Sequence, residues 1–342
     1  MPEFGFGLDV GAANIKLACI KRVKKELQLV DLVLQKGIEP APIKGEIERI
    51  LSENKLKEGE VVTSVSGPSV VVRYVDFPDM SEGEVKNAIA LESERFLPFR
   101  FEDVNLDVQV LKGASESKGK MHVLIVAARK EIIKKRLDFL DSAGLIPIAI
   151  DVDALSLANC FEKETVTSTN AIGLLNIGAT FTNLCIIEEG IPCFTRDIPL
   201  GGNTISSHLQ KRLGILPEEA EDLKIKIGLS QEGEEAEKEK ITKINDAVKE
   251  ILESFLKEVR YSFDFHQSQA KGKVIERIYL SGGTSLLKEV DKFLGAELGV
   301  SVEIWNPLKL LPAPKELIDK WQAMSSMFPV SLGLAYKGLE YA

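Results

Sequence analysis

The sequence predicts an α/β protein made of two similar halves that face each other across a cleft, each half interrupted by a further module. Three observations carry this. One pattern is written twice: GLDVGAANIKL (7–17) and LLNIGATFTNL (174–184) align at an offset of 167 (176 minus 9), with Leu8, Gly11, Ala12, Leu17 and Ile20 falling on identical residues. Each copy opens a run of three strands joined by short turns and followed by helix and strand, a β-β-β-α-β unit repeated. The texture then changes inside each unit, at Ser81 in the first and near residue 204 in the second.

The elements follow in order. Residues 4–10, 15–20 and 27–34 read as strands, and VVTSVSG (61–67) and VVVRYVDFP (70–78) add two more, rich in Val. Ile43, Ile47, Ile50 and Leu51 mark one face of an intervening helix. Ser81 with Glu84 is a capping-box signature for a helix that ends before Pro98. Val104, Leu106, Val108 and Val110 alternate with polar residues and pair, across the polar tip 112–120, with MHVLIVAA (121–128). A helix over 130–142 carries Ile133, Leu137 and Leu140 on one face, with Gly144 as its cap. The second unit is read as strands at 172–177, 183–188 and 191–198, helices at 204–213 and 217–227, and a solvated charged segment at 230–240. Ile244, Val248, Ile251, Phe255, Val259 and Phe263 then repeat at helical period for about 24 residues. Strand 277–283, a helix from Ser285 to Leu298 closed by Gly299, and strand 300–305 complete it.

These changes of texture divide the chain into a first half (1–79), an inserted module (80–147) and a return to the first half (148–170). The core of the second half is expected at 171–203 and 268–315, its helical part at 204–267, and a C-terminal segment packing on the first half at 316–342.

With 342 residues, 44% of them hydrophobic, the chain can bury substantial cores, and its net charge of −9 argues against a bulk nucleic-acid binder. Cysteines 19, 160, 185 and 193 form no CxxC pair and there are three histidines, so the cysteines read as small buried hydrophobes of a reducing compartment and no zinc site is expected. The opening MPEFGFGLDV does not read as a signal peptide, and apolar runs such as VLIVAA (123–128) fall short of the ~20 residues of a membrane helix. The last eleven residues do not read as a basic amphipathic anchor. The expectation is a cytoplasmic protein that meets a membrane only through partners.

A strand that ends in Asp-x-Gly and reverses at once leaves backbone N–H groups pointing out of the turn, and small residues let a phosphate approach them. DVGAAN supplies Gly11, Ala12 and Ala13; NIGATF supplies Gly178, Ala179 and Thr180, with hydroxyls on Thr180 and Thr182. Two such turns can clamp a polyphosphate, Lys16 can add a point charge, and Asp9 can hold Mg²⁺ directly or through water. Ser281-Gly282-Gly283-Thr284 after a strand offers a flat backbone surface to a base or ribose, and Glu221 shares a helix face with Lys224.

These features resemble the actin, sugar-kinase and heat-shock-chaperone ATPase superfamily, whose halves are ribonuclease-H-like. The module at 80–147 resembles the extra subdomain of the cell-division protein FtsA. More specific phrases, SGPSVVVRYVDFP, ESERFLPF, FTRDIPLGGNTI and IYLSGGTSLL with VEIWNP, resemble the PilM family of actin-like type IV pilus assembly proteins, from about residue 4 to 340. The resemblance implies ATP with Mg²⁺ in the cleft. It implies Asp9, Gly11, Asn14 and Lys16 at the first phosphate turn, and Gly178, Ala179 and Thr180 at the second. Glu221 and Lys224 would lie near ribose and adenine, Gly282, Gly283 and Thr284 against the adenosine. Gly201 and Gly202 would open a helix whose N-terminus favours anions. It implies as partner the N-terminal cytoplasmic tail of PilN, docked between the inserted module and the first half. Residues 81–101 and 121–150 are the region to search, with pilus motor ATPases and other platform proteins as further contacts.

At the second turn the superfamily has Asp where this chain has Asn176. A unit charge pair at 4 Å is worth roughly 4 kcal/mol at an effective dielectric near 20, so metal binding or water polarisation should weaken. Hydrolysis also needs a group to orient water. Asp151 and Asp153 are the candidates, the latter equally readable as a helix N-cap. The sequence therefore predicts a nucleotide-holding scaffold, at most a weak ATPase. The other readings are a small-molecule kinase of the same fold and an FtsA-like filament former tethered to a membrane.

Overall fold

The computed structural model describes residues 3–54, 60–111, 119–166, 168–232, 237–269 and 272–341. Strands β1 (Phe4–Val10), β2 (Asn14–Val23) and β3 (Glu26–Lys36) run antiparallel, and α1 (Pro40–Glu53) leads to β4 (Glu60–Val65), parallel to β1. Strands β5 (Val70–Pro78), β6 (Val104–Leu111) and β7 (Lys120–Arg129) enclose helices α2 (Glu82–Leu91) and α3 (Ser93–Phe96) in sequence. Helix α4 (Lys130–Ser142), β8 (Ile146–Val152) and α5 (Asp153–Phe161) return the chain to the first half. The second half is β9 (Ala171–Ile177), β10 (Thr182–Glu188), β11 (Ile191–Ile198), α6 (Gly202–Leu213), α7 (Pro217–Lys226), α8 (Lys238–Ser268), β12 (Ile275–Ser281), α9 (Val290–Leu298) and β13 (Ser301–Ile304). Helices α10 (Lys315–Trp321) and α11 (Pro329–Tyr341) close the chain.

The duplication read from eleven residues extends to whole sheets. The order β3-β2-β1-β4-β8 in one is repeated as β11-β10-β9-β12-β13 in the other. Strands such as LLNI and GLDV are apolar on consecutive residues because both faces of each sheet are covered. On the outer face of the first sheet, Phe6, Ile15 and Leu17 meet Ile43 and Ile47 of α1 and Leu140 of α4. On its inner face, Ala18, Ile20 and Leu32 share one core with α5, α11 and the inner face of the second sheet, including Leu174 and Cys185. Helices α5 and α11 thus form the layer between the sheets. The outer face of the second sheet packs on α6–α9, with Ile244, Val248, Phe255, Val259 and Phe263 of α8 buried. Burial of each such side chain stabilises by about 1.5–3 kcal/mol.

Several boundaries differ from those the sequence predicts. The sequence places 70–78 with the first half, yet β5 pairs along its length with β7 in a third sheet, β5-β7-β6. Conversely, α4 lies within the expected module but buries Leu140 and Ala143 in the first-half core, leaving Leu137 exposed. The inserted sheet therefore spans Val70–Arg129 rather than 80–147. Hydrophobic alternation marks strands but not the sheet they join. The 204–267 stretch has no core of its own, since α6 and α8 share theirs with the second sheet. The helix expected from Ser285 is a short 3-10 turn, Gly283–Leu286, with α9 beginning only at Val290. The Ser81–Glu84 capping box forms, Ser81 Oγ accepting from the Glu84 N–H. The hairpin tip at 112–118 and part of the charged segment, 233–236, lie outside the described residues.

Candidate functional site

The two repeated turns close in the same way. Gly11 N–H donates to Asn14 O at 3.1 Å, and Gly178 N–H donates to Phe181 O at 2.9 Å, again at an offset of 167. Ala12 and Ala13 are exposed at the first tip and Thr180 at the second. Asn14 begins β2 opposite Lys36, and Ala13 O accepts from Gly37 N–H at 2.9 Å, which ties the first turn to the end of β3.

Behind the first turn, Asp9 and Lys16 are cross-strand partners, and Lys16 Nζ donates to Asp9 Oδ2 at 2.9 Å. Behind the second, a row of polar side chains crosses four neighbouring strands. Ser281 on β12 donates to Asn176 Oδ1 (3.4 Å), and Asn176 Nδ2 donates to Asn183 Oδ1 (2.9 Å). Asn183 Nδ2 in turn donates to Asp197 Oδ1 at 2.7 Å. Asp197 Oδ2 accepts the backbone N–H of Gly67, at the end of β4, at 2.5 Å. The row thus ends on the first half, and a Cβ at Gly67 would meet the Phe181 ring at 3.3 Å.

The remaining candidates in the second half gather on α6. Its first two N–H groups donate to the turn: Gly202 to Gly178 O (2.9 Å) and Asn203 to Ala179 O (2.8 Å). The sequence expects this helix N-terminus to favour an anion; those two donors are instead engaged by the turn that Gly201 and Gly202 adjoin. Thr284 Oγ1 donates to Gly178 O at 3.3 Å, and a Cβ on Gly202 would lie 2.7 Å from that hydroxyl and 3.2 Å from Lys224 Nζ. Lys224 is buried and bonded to Glu221 Oε2 (2.6 Å), Ser206 Oγ (3.0 Å) and Gly202 O (3.3 Å). Glu221 remains half exposed. Gly282 has φ +87 and a Cβ there would meet Ile177 O, whereas at Gly283 a Cβ would meet only Met327 Cε, at 3.8 Å. Thr182 departs from the sequence expectation: it is buried, and its hydroxyl donates to Leu200 O at 2.8 Å rather than facing the turn.

The two carboxylates proposed from sequence as water-orienting groups part company. Asp151 accepts from Val152 N–H (2.8 Å), Asn159 Nδ2 (3.0 Å) and Ser156 Oγ (3.3 Å), so it secures the start of α5. Asp153 is the first residue of α5 and not its cap, which is Val152. Its carboxylate stands beside Ser64 and Ser66, and its pKa rises to about 6, chiefly through burial and then through the nearby charge of Asp9, with Asp197 adding to it.

Sequence reasoning missed Asn183, Asp197 and Arg136. Arg136 of α4 donates to Val10 O at 3.0 Å, next to the first turn, while its Nη1 is buried with no hydrogen-bond partner among the described residues. Burial lowers its pKa, opposed by Asp153 and Asp9. Asn183 was findable, being the residue that lies 167 beyond Lys16. Beside Asp197 a cavity of about 370 Å³ opens between β5 and β11, lined by Gly67, Val72, Ala154, Phe181 and Arg196 among others.

The residues present fit a magnesium nucleotide. Asp9 offers a hard carboxylate oxygen, the donor type Mg²⁺ takes, and Asp153 lies near enough to feel its charge. The small, exposed tips at Ala12, Ala13 and Thr180 leave room for phosphate, and Arg136 and Lys16 supply cationic donors. Asn176 fits as an uncharged member of the row and not as a metal-holding carboxylate.

Duplicated sheets of identical strand order, each with the same closed turn after its first strand, define a protein of the actin-like ATPase fold. The chain belongs to the PilM family: the model for "Type IV pilus assembly protein PilM" matches residues 7–339. The structure is similar to a chain of a "PilM-PilN type IV pilus biogenesis complex" (TM-score 0.81, 27% identity, 98% of each chain covered). It is also similar in fold to the ethanolamine utilization protein EutJ of Carboxydothermus hydrogenoformans (TM-score 0.56, 14% identity, 98% of this chain and 90% of that one). A third similar fold is MreB 5 of Spiroplasma citri, whose structure holds AMPPNP (TM-score 0.51, 13% identity, 97% and 95% covered). Among the described residues no helix is long and apolar enough to cross a membrane.

Proposed function

We propose that this chain is a nucleotide-holding scaffold of the type IV pilus assembly platform. ATP with Mg²⁺ sits between the turns at Gly11–Asn14 and Gly178–Phe181, and hydrolysis is slow or absent. The observation that carries the reading is the identical closing hydrogen bond of the two turns, combined with the Asp197–Gly67 bond that joins the second half to the first. The nucleotide supplies a polyanion that engages both turns. On this reading Asp9 holds the cation, Lys16 and Arg136 balance the phosphate charge, and Asp153 orients water. A carboxyl raised to about 6 is suited to accept a proton, so the support for holding over hydrolysis is Asn176, an amide that adds no carboxylate at the second turn.

The partner on this reading is the N-terminal cytoplasmic tail of PilN, as in the complex that this chain resembles at 27% identity. It docks where the inserted module meets the first half. In the stretches 81–101 and 121–150, Leu91, Phe101, Leu137 and Ile146 are exposed large apolar residues of the kind such a segment covers. A complex of this kind brings the chain to the inner membrane through its partner.

Calorimetric titration with MgATP, then with a synthetic PilN tail peptide in the presence and absence of nucleotide, tests the proposal. ATP binding together with tighter peptide binding in its presence is expected. Steady-state phosphate release above ~1 s⁻¹, within the range of ordinary enzymes, would overturn the holding role. Peptide affinity indifferent to ATP would overturn the coupling.

A further inference from the structure

Glu188, Cys193 and His266 lie away from the cleft. Glu188 ends β10, Cys193 opens β11 just past the hairpin turn, and His266 is in the last turn of α8. One ligand atom from each, a carboxylate oxygen, Sγ and a ring nitrogen, lies within 4.8 Å of the other two. The sequence predicts no zinc site because no CxxC or His pair has ligand spacing; here the three donors come from a hairpin and a helix more than 70 residues further on.

Two observations point to a cation. His266 is only 6% exposed, and its Nε2, although 2.9 Å from Glu188 Oε1, lies outside hydrogen-bonding geometry and has no hydrogen-bond partner among the described residues. Buried ring nitrogens are ordinarily bonded, so one standing beside a carboxylate without pointing along it suggests that both donors are turned toward a third point. The backbone N–H of Lys273 donates to that same Glu188 Oε1 at 2.8 Å and fixes the carboxylate, leaving Oε2 as its oxygen for a metal, the kind of support that orients a metal ligand. Phe194 packs against the imidazole, ring centroids 6.3 Å apart, and shields one side.

We propose that Glu188, Cys193 and His266 form a metal site of the zinc type, with one thiolate, one imidazole, one carboxylate and a fourth position for water. A tetrahedral Zn²⁺ with bonds of about 2.0–2.3 Å needs donors roughly 3.3–3.8 Å apart, so closure from the observed arrangement takes side-chain movements of about 1 Å. Thiolate and imidazole select Zn²⁺ or Co²⁺ over Mg²⁺ and Ca²⁺. Binding forms an S–metal bond, breaks the hydrogen bond that the Cys193 thiol donates to Ile186 O (3.4 Å), and releases the thiol proton to solvent. The site ties the β10–β11 hairpin to the end of α8, from which the chain runs into β12 and the Gly282 turn.

The test uses the full chain stripped with a chelator and titrated with Co²⁺ alone. One equivalent is expected, with a thiolate-to-cobalt charge-transfer band, tetrahedral visible bands, about one proton released, and displacement by Zn²⁺. Cys193→Ser should abolish the charge-transfer band and weaken binding at least about a hundredfold, while Glu188→Gln should weaken it roughly tenfold and keep the band. Absence of the band in the wild-type protein overturns the proposal, whether or not His266 variants fold. Its persistence in Cys193→Ser overturns it too, by placing the metal on another thiol.

Discussion

Asp9 and Lys16 stand opposite each other on β1 and β2, joined at 2.9 Å; Asn176 and Asn183 hold the same register 167 residues later and are joined at 2.9 Å as two amides. The second copy has therefore lost a whole ion pair, not a carboxylate alone. The pair's formal charge is zero in both halves. What differs is that the first pair can open to offer a carboxylate and an ammonium separately, while the second is a fixed link in a hydrogen-bonded row. On the proposed reading, that asymmetry gives charge handling to the first turn and positioning to the second.

Lys16→Gln should weaken MgATP binding by roughly 10- to 100-fold, the loss expected for one or two charge-assisted contacts. It should also lower stability by about 1–3 kcal/mol without nucleotide, because Asp9, 7% exposed, loses its hydrogen-bond partner. Calorimetry and thermal melts read the two effects separately. An unchanged affinity would remove Lys16 from the phosphate site.

The pH dependence follows from Asp153. Its folded-state pKa, about 6, lies above the ordinary carboxylate value, so between about pH 4 and 6 the folded state binds more protons than the unfolded state. Its contribution is favourable below that window and is lost as pH rises through 6. Asp153→Asn should therefore raise stability at pH 7 by about 1–2 kcal/mol after allowance for screening, with little change near pH 4. A divalent cation should stabilise the wild-type protein more at pH 7.5 than at pH 5, and this difference should shrink in the variant. Melting curves across pH with and without Mg²⁺ check both.

Gly282→Ala should be among the most disruptive small substitutions in the site. The position has φ +87, and an added Cβ would collide with Ile177 O at the end of β9. Strain and clash together should cost about 2–4 kcal/mol and open the junction of β12 with the second turn, reducing ATP affinity as well. Gly283→Ala, with open space beside it, should leave stability nearly unchanged and so serves as the control for the stability loss alone.

The duplication was legible because the same small turn recurs after an apolar strand at a fixed offset; either copy alone is a common connection between strands. The Val70–Pro78 strand was not placed correctly, since edge pairing depends on where Gly67-Pro68 sends the chain and not on Val alternation. A helix start in sequence does not reveal that the turn carbonyls of Gly178 and Ala179 engage the first two N–H groups of α6. Asp197 went unread for a related reason: its role arises only when β11 lies beside β10 and both meet Gly67. Asn176 was read as a missing charge because one strand in isolation does not display its cross-strand partner.

The row Asn176–Asn183–Asp197 makes a prediction that charge alone does not. Asn176→Asp sets a carboxylate oxygen against Asn183 Oδ1; turning the Asn183 amide over mends that contact and places its oxygen against Asp197. One acceptor pair is always left facing, so the single variant should lose about 1–3 kcal/mol despite restoring the superfamily's residue. Asp197→Asn should lose a similar amount, since an amide there cannot satisfy both Asn183 Nδ2 and the Gly67 N–H as Asp197 does. In the double variant the direction of donation reverses: residue 183 donates to residue 176, residue 197 donates to Asn183, and its remaining oxygen still accepts from Gly67. Stability should return to within about 1 kcal/mol of wild type, a coupling that a double-mutant cycle in denaturant measures directly. Additive losses in the double variant would show that the row is not continuous and that Asn176 acts toward the cleft by itself.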